Sequence, residues 1–464
     1  MGVEELQRRI EGKVTTATDA GYEQLRREMN WNQLTPPRYP QLIVQVANEL
    51  DVVEAVRFAR THGIKIAVRG GGHSCIGAAL RDESLLIDLG ALKQVSIDPE
   101  ARVAAVQPAV TGRDLNNQLA HYGLAFPVGH CPSVPLSGFL LNGGLGFNSN
   151  RWGPACFSLE AAKVVTADGH MIVANHEQHT DLFWAIRGAG PGFFAVAIQY
   201  FLKLYKAPHA ITTSSYYYSL QRIEEVGAWA GNVARQMPSE VELNIFIVPA
   251  PPALTEQCQI SNGFVGILSA TAFVDTAQEA LATLSLLETC PVAPECLRIE
   301  VNQPTLLAAL LDKSGRLWPE RHRYLADTLW SNSPPAQVLG TVRDYFFHAP
   351  SPKSVAVYSF STGAAGNSAS LPEAAFSMTA GTLLLCYAIW ERPEEDAVNA
   401  AWHRETIAAL DSFAVGHYVG ESDIMAEPAR AERSFARTNW KRLQAIRRTY
   451  DPDALFMSIP AHTI

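Results

Sequence analysis

No run of about 18 apolar residues occurs in the 464-residue chain, so a membrane-spanning helix is not expected. Basic residues are outnumbered by acidic ones, 37 to 46, for a net charge of −9. Nucleic acid as the main partner needs a basic face, which this balance does not supply. Cysteine is sparse: seven residues, at positions 75, 131, 156, 258, 290, 296 and 386, with no CxxC pair and no zinc spacing. That pattern argues against a disulfide framework and gives no reason to expect a metal site; free thiols in a reducing compartment are expected instead. The opening segment, M-G-V-E-E-L-Q-R-R-I-E-G, is charged where a secretory leader has an apolar core, so a cytoplasmic location is expected. Repeats and low-complexity tracts are missing too. What remains, 47% hydrophobic and 18% charged, is ordinary for a globular protein too long for one core, and two domains are expected.

The first informative stretch is I-K-I-A-V-R-G-G-G-H-S, Ile64 to Ser74. A short apolar strand breaks into Gly70, Gly71 and Gly72. Three glycines give up backbone entropy for freedom in φ and for close approach to bare N–H groups. Successive N–H groups of such a turn make a nest for an anion such as a pyrophosphate. Arg69 adds a positive charge, and His73 and Ser74 add a nucleophile and a hydroxyl. A plain tight turn with a surface histidine is the competing explanation.

Around this loop the pattern predicts a helix and an irregular lead-in over residues 4–30, a strand from Leu42 to Val46, and a helix from Asp51 to His62 with Asp51 as its cap and Gly63 as its end. Strand-like runs follow at 85–89 and 101–106, then a turn and helix over 108–122. A second glycine cluster, G-H-C-P-S-V-P-L-S-G-F-L-L-N-G-G-L-G-F-N-S-N-R-W-G, runs from Gly129 to Gly153. It is not the Rossmann fingerprint, because its spacing differs and no acidic residue sits about 20 positions on after a βα unit. A strand at 161–167, a two-residue Asp168-Gly169 hairpin turn, a partner strand at 171–174, a helix at 181–188 and a strand at 193–204 come next. Beyond Pro208, strands are predicted at 214–220, 241–248, 263–274, 354–363 and 382–390, and helices at 223–237, 277–287 and 399–413. Residues 291–348 show no long periodic segment and are expected to cover a substrate site.

V-R-G-G-G-H-S, G-x-C-P-x-V, N-G-G-x-G, V-V-T-A-D-G and D-L-F-W-A-I-R-G, in this order over roughly residues 38–206, with Y-D-P-D-A-L-F at Tyr450 to Phe456, resemble the FAD-linked oxidases of the berberine-bridge-enzyme type. These belong to the larger vanillyl-alcohol-oxidase-like, PCMH-type FAD-binding flavoproteins. The resemblance implies an α+β, two-domain fold. The FAD-binding domain would span residues 1–207, with its core at about 38–206. A substrate domain of antiparallel sheet backed by helices would span 208–415, and 416–464 would return to the FAD domain.

The same resemblance implies FAD, covalently joined to His73 and Cys131. It places Arg69, Gly70, Gly71, Gly72, Ser74, Val134, Ser137, Gly138, Asn142, Gly143, Gly144, Gly146 and Val196 around the cofactor. Tyr418 takes the position of a family tyrosine over the flavin, and Tyr418, Glu421 and His417 are the candidate bases. The implied reaction passes a hydride from a small-molecule alcohol, sugar, aromatic alcohol or cyclic amine to flavin N5. Electrons then go to O₂, giving H₂O₂, and valine at 134 is the residue that accompanies fast reaction with oxygen. Several positions depart from the family pattern: Pro135 for a glycine, Asn142 for the first of three glycines, Phe157-Ser158 for Asp-Asn, Gly190-Pro191-Gly192-Phe193-Phe194 for G-G-N-F-G, Ser434 to Asn439 for a second tyrosine motif, and F-M-S-I-P-A-H-T-I at the end. A dehydrogenase with another electron acceptor and a flavin-binding protein without turnover are the alternatives.

Overall fold

Three sheets carry the architecture of the computed structural model, which describes residues 2–363 and 371–458. The segment Ile459 to Ile464 of the altered ending lies outside the described residues. The first sheet has four strands in the order Lys13–Thr16, Leu42–Gln45, Leu85–Asp88, Ile66–Arg69. Its last three strands run parallel, and Ile66 also bridges to Phe456 from the far end of the chain. Its three parallel strands are rich in Leu, Ile and Val because both faces are largely covered, while the edge strand Lys13–Thr16 is polar. The second sheet is antiparallel, in the order Val95–Asp98, Val103–Val106, Val196–Lys203, Leu159–Val165, Met171–Asn175. One hydrophobic core joins these two sheets and also takes in Val419, Phe435, Leu443 and Phe456.

The third sheet has seven strands: Arg298–Thr305, Ala210–Tyr218, Phe264–Val274, Val241–Pro249, Val355–Phe360, Thr382–Trp390, Arg323–Ser331. All its pairings are antiparallel. Alternation divides its faces. Leu243, Ile245, Leu268, Ala270, Leu384 and Cys386 enter a second core together with residues of the helices Ile223–Val233, Ala277–Leu284, Pro335–Phe346 and Asp396–Leu410. The α+β layout, with an antiparallel sheet backed by helices, is the expected one.

Several local expectations are corrected. Residues 4–30 hold two short helices, Val3–Arg9 and Tyr22–Glu28, with the strand Lys13–Thr16 between them. The long helix starts at Glu49, and its cap is Asn48, whose side chain accepts from the N–H groups of Leu50 and Asp51. Asp51 faces back instead and accepts from the N–H groups of Glu11, Gly12 and Ala47. Residues 291–348 are far from structureless: they contain two of the seven strands and the helices Leu307–Gly315 and Pro335–Phe346. The helix Arg437–Tyr450 was not foreseen either. No helix among the described residues is long and apolar enough to cross a membrane.

Candidate active site

The glycine loop leaves the Ile66–Arg69 strand and meets the start of the helix Leu136–Leu141. Contact between the two is close. A Cβ on Gly70 would overlap the Ser137 side chain, and one on Gly71 would overlap the Pro135 ring. Gly72 has φ +72° with its Cα against the Met29 carbonyl, so a side chain there is excluded twice over. Glycine is therefore demanded here by loop-on-loop packing as well as by any ligand. Arg69 is less free than its position suggests: Nη1 donates to Asp88 at 2.8 Å, and its other nitrogens donate to the carbonyls of Met29 and Gly71.

Between these loops and the open face of the seven-stranded sheet lies a cavity of about 1330 Å³. It is larger than the roughly 300–1,000 Å³ usual for a single small-molecule pocket. Its wall holds Arg69, Gly70, Gly71, Gly72, His73, Ser74, Cys131, Val134, Ser137, Gly138 and Asn142 from the loops, and Tyr418 and Glu421 from the C-terminal part. The remaining expected residues do not reach it. Gly143 (φ +104°) and Gly144 pack beneath, where a Cβ would strike Phe376 and Ala155, and Gly146 lies on the Val128 carbonyl. Val196 is fully buried in the second sheet.

His417 is also behind the wall. Its Nδ1–H donates to the Thr328 carbonyl at 2.6 Å, and Nε2 is buried without a partner among the described residues. Burial pulls its pKa down. The base candidates are further separated by environment. Burial pushes the Tyr418 phenol up, away from the range of a proton acceptor. Burial also raises Glu421, but a carboxylate starts far lower, and the Tyr387 hydroxyl donates to its Oε2. Tyr387 is on the Thr382–Trp390 strand and lines the cavity.

The His73 ring stacks on Trp31, with centroids 4.8 Å apart and planes 23° from parallel. Burial lowers its pKa to about 4, with the Arg69 charge adding to the effect, so the imidazole is neutral at ordinary pH. Cys131 Sγ lies 3.5 Å from the Ser133 hydroxyl, and burial raises its thiol pKa.

Sequence reasoning missed Trp31, Cys75, Arg81, Tyr324 and Trp330 as wall residues. All but Cys75, which directly follows the glycine-loop motif, reach the cavity from segments with no motif of their own. Arg81 is 5% exposed, donates to the Ser458 carbonyl at 2.6 Å, and forms no ion pair with a carboxylate among the described residues. Burial pulls it down to about 10. Four buried polar atoms of wall residues have no partner among the described residues: Trp31 Nε1, Arg81 Nε, Asn142 Oδ1 and Trp330 Nε1. Buried polar groups are normally satisfied, so these point to a polar ligand that supplies both donors and acceptors.

The comparisons supply the cofactor class. Residues 40–175 match the family model of the FAD binding domain. Beyond that domain the chain is similar to FAD-linked oxidoreductases, and it is an enzyme. The FAD-linked oxidoreductase penO of Penicillium crustosum is 26% identical over 434 residues, 93% of this chain and 92% of that one. The (R)-6-hydroxynicotine oxidase of Paenarthrobacter nicotinovorans is 34% identical over 199 residues, 43% of each chain. The fold is that of berberine bridge enzyme from Eschscholzia californica, with a TM-score of 0.82 at 19% identity over 100% of this chain and 99% of that one.

Proposed function

We propose that the protein is an FAD-dependent oxidase acting on a carbon that bears a hydroxyl or an amine. The observation that carries this reading is the Tyr387–Glu421 pair in the wall of the cavity that the glycine loop, His73 and Cys131 also line. Bound FAD supplies the hydride acceptor and, through O₂, the route to H₂O₂. Residues 1–207 and 416–464 form the cofactor part in this reading, and 208–415 the substrate part.

The unsatisfied Trp31, Asn142 and Arg81 atoms fit a group rich in both donors and acceptors, and Arg81 brings the charge that a diphosphate needs. His73, neutral and stacked on Trp31, is the first covalent anchor, and Cys131 the second. Glu421 takes the proton from the substrate's hydroxyl or amine, and Tyr387 holds the receiving carboxylate in place by its hydrogen bond. Val134 in the wall leaves room for oxygen that a longer side chain would fill. The test is anaerobic: substrate must bleach the flavin, and air must restore the colour with H₂O₂ as product.

A further inference from the structure

The open face of the seven-stranded sheet is banded. Tyr217, Ile267, Phe246, Val357 and Leu385 stand directly opposite one another across five strands and form one apolar row. Two residues along each strand the chemistry changes. Ser215, Ser269, Asn244 and Ser359 form a polar row that ends at Leu383 and Trp330. Two further on stand Thr213, Thr271 and Glu242. All of these side chains line the cavity. Tyr387, which holds Glu421, lies on the apolar side of the boundary, two residues beyond Leu385.

The polar rows keep free hydrogen-bonding capacity. The Ser215 and Ser269 hydroxyls pair at 3.0 Å, as do those of Thr213 and Thr271. Each pair spends one O–H on the other oxygen and leaves one O–H to give. The Asn244 amide and the Ser359 hydroxyl have no partner among the described residues. Trp330 is 6% exposed, and its Nε1–H is buried without an acceptor among those residues. Glu242 is already committed, accepting from the Asn148 N–H with His130 Nε2 at 3.3 Å.

Resting on the oxidase reading of this cavity, we infer that the substrate is an apolar-ring alcohol or amine carrying a neutral oxygen function at its far end, and not a sugar. The reacting carbon sits beside Glu421 at the apolar end. The ring covers the row from Tyr217 to Leu385. The distal oxygen meets the Asn244 amide and the Ser359 hydroxyl, which stand opposite each other on adjacent strands. From Tyr387 to Leu383 is four residues, so the two ends of the substrate are about 13 Å apart. A sugar would bury hydroxyls on all sides against the apolar row, where nothing repays their desolvation.

The test titrates holoenzyme kept reduced with dithionite, so that no turnover contributes heat. The probes are naphthylmethanol, naphthylmethanol bearing a hydroxypropoxy tail on its far ring, and glucose. The tailed alcohol should bind about fivefold to tenfold more tightly than the untailed one, the worth of one added hydrogen bond, and glucose most weakly. In Ser359→Ala and in Asn244→Leu the ratio of tailed to untailed affinity should fall towards one. Glucose binding as tightly as the ring alcohols, or an unchanged ratio in both variants, overturns the inference. Ring alcohols that bind in this order without bleaching oxidised flavin would sink the oxidase reading alone. Bleaching by glucose with no preference for the rings would sink this inference alone.

Discussion

The Tyr387 hydroxyl donates to the Glu421 carboxylate, tying the Thr382–Trp390 strand to the turn after Tyr418 inside the cavity wall. Burial raises the proton affinity of this carboxylate and the phenol fixes its position, and in the proposed reaction Glu421 is the base. Glu421 accepts a proton only above its own pKa. Flavin reduction by an alcohol should therefore rise with pH through a limb lying above the ordinary carboxylate value of 4.5. Glu421→Gln should abolish that limb, and a pH profile retained in the variant would assign the proton to another group.

Tyr418 lines the same cavity, but its phenol is pushed up by burial and is a poor acceptor. Tyr418→Phe should slow flavin reduction much less than Glu421→Gln does. Single-turnover rates of the two variants measure this; the reverse order would return the base role to Tyr418.

The cofactor should remain with the polypeptide after acid precipitation, since either anchor suffices to hold it. His73→Ala combined with Cys131→Ala should release it to the supernatant. Yellow colour that stays in the precipitate of the double variant would place the attachment elsewhere.

Both glycine clusters and the strands of the third sheet at 241–249, 264–274 and 382–390 were legible, because each has either a backbone demand or a sustained apolar pattern. The Arg298–Thr305 strand was not, since it is an edge strand with Ile299 and Val301 turned to solvent and Pro304 within it. Lys13–Thr16 is a strand only because Leu42–Gln45 is there to pair with it. Tyr387 had a readable signal: Leu383, Leu385 and Tyr387 alternate with the core residues Leu384, Cys386 and Ala388, which puts the tyrosine on the other face. Trp31, Arg81 and Trp330 had none, because their place in the wall is set by the meeting of distant segments.

Two buried histidines predict acid sensitivity. His403 is held near pKa 4, against 6.5 for the free side chain, the His417 pKa is also lowered, and desolvation is the main cause in each. Their unfolded forms take up protons as pH falls below 6.5 while the folded forms stay neutral. Stability should thus be full above about pH 6.5 and decline as pH drops towards 4. His403, 3% exposed with Nε2 at 3.2 Å from the Cys386 carbonyl, is remote from the cofactor loops. His403→Gln should flatten the decline in denaturant titrations between those pH values; an equally steep decline would show that other groups drive it.

Val134 sits in the cavity wall three residues after Cys131. Val134→Leu should slow reoxidation of the reduced protein by air while leaving anaerobic reduction nearly unchanged. Equal reoxidation rates would remove Val134 as the controlling residue, and slow reoxidation of the wild type would favour a dehydrogenase.

The most direct measurement mixes the oxidised holoenzyme with naphthylmethanol without oxygen and follows the visible absorbance of the flavin, for the wild type and for Glu421→Gln. The wild type should bleach, then recover its colour on admission of air with one H₂O₂ formed per flavin. The variant should bleach about 10²-fold more slowly or worse, the scale of a lost general base. A flavin that dithionite reduces but no alcohol or amine does, or a variant that bleaches as fast as the wild type, would contradict the account.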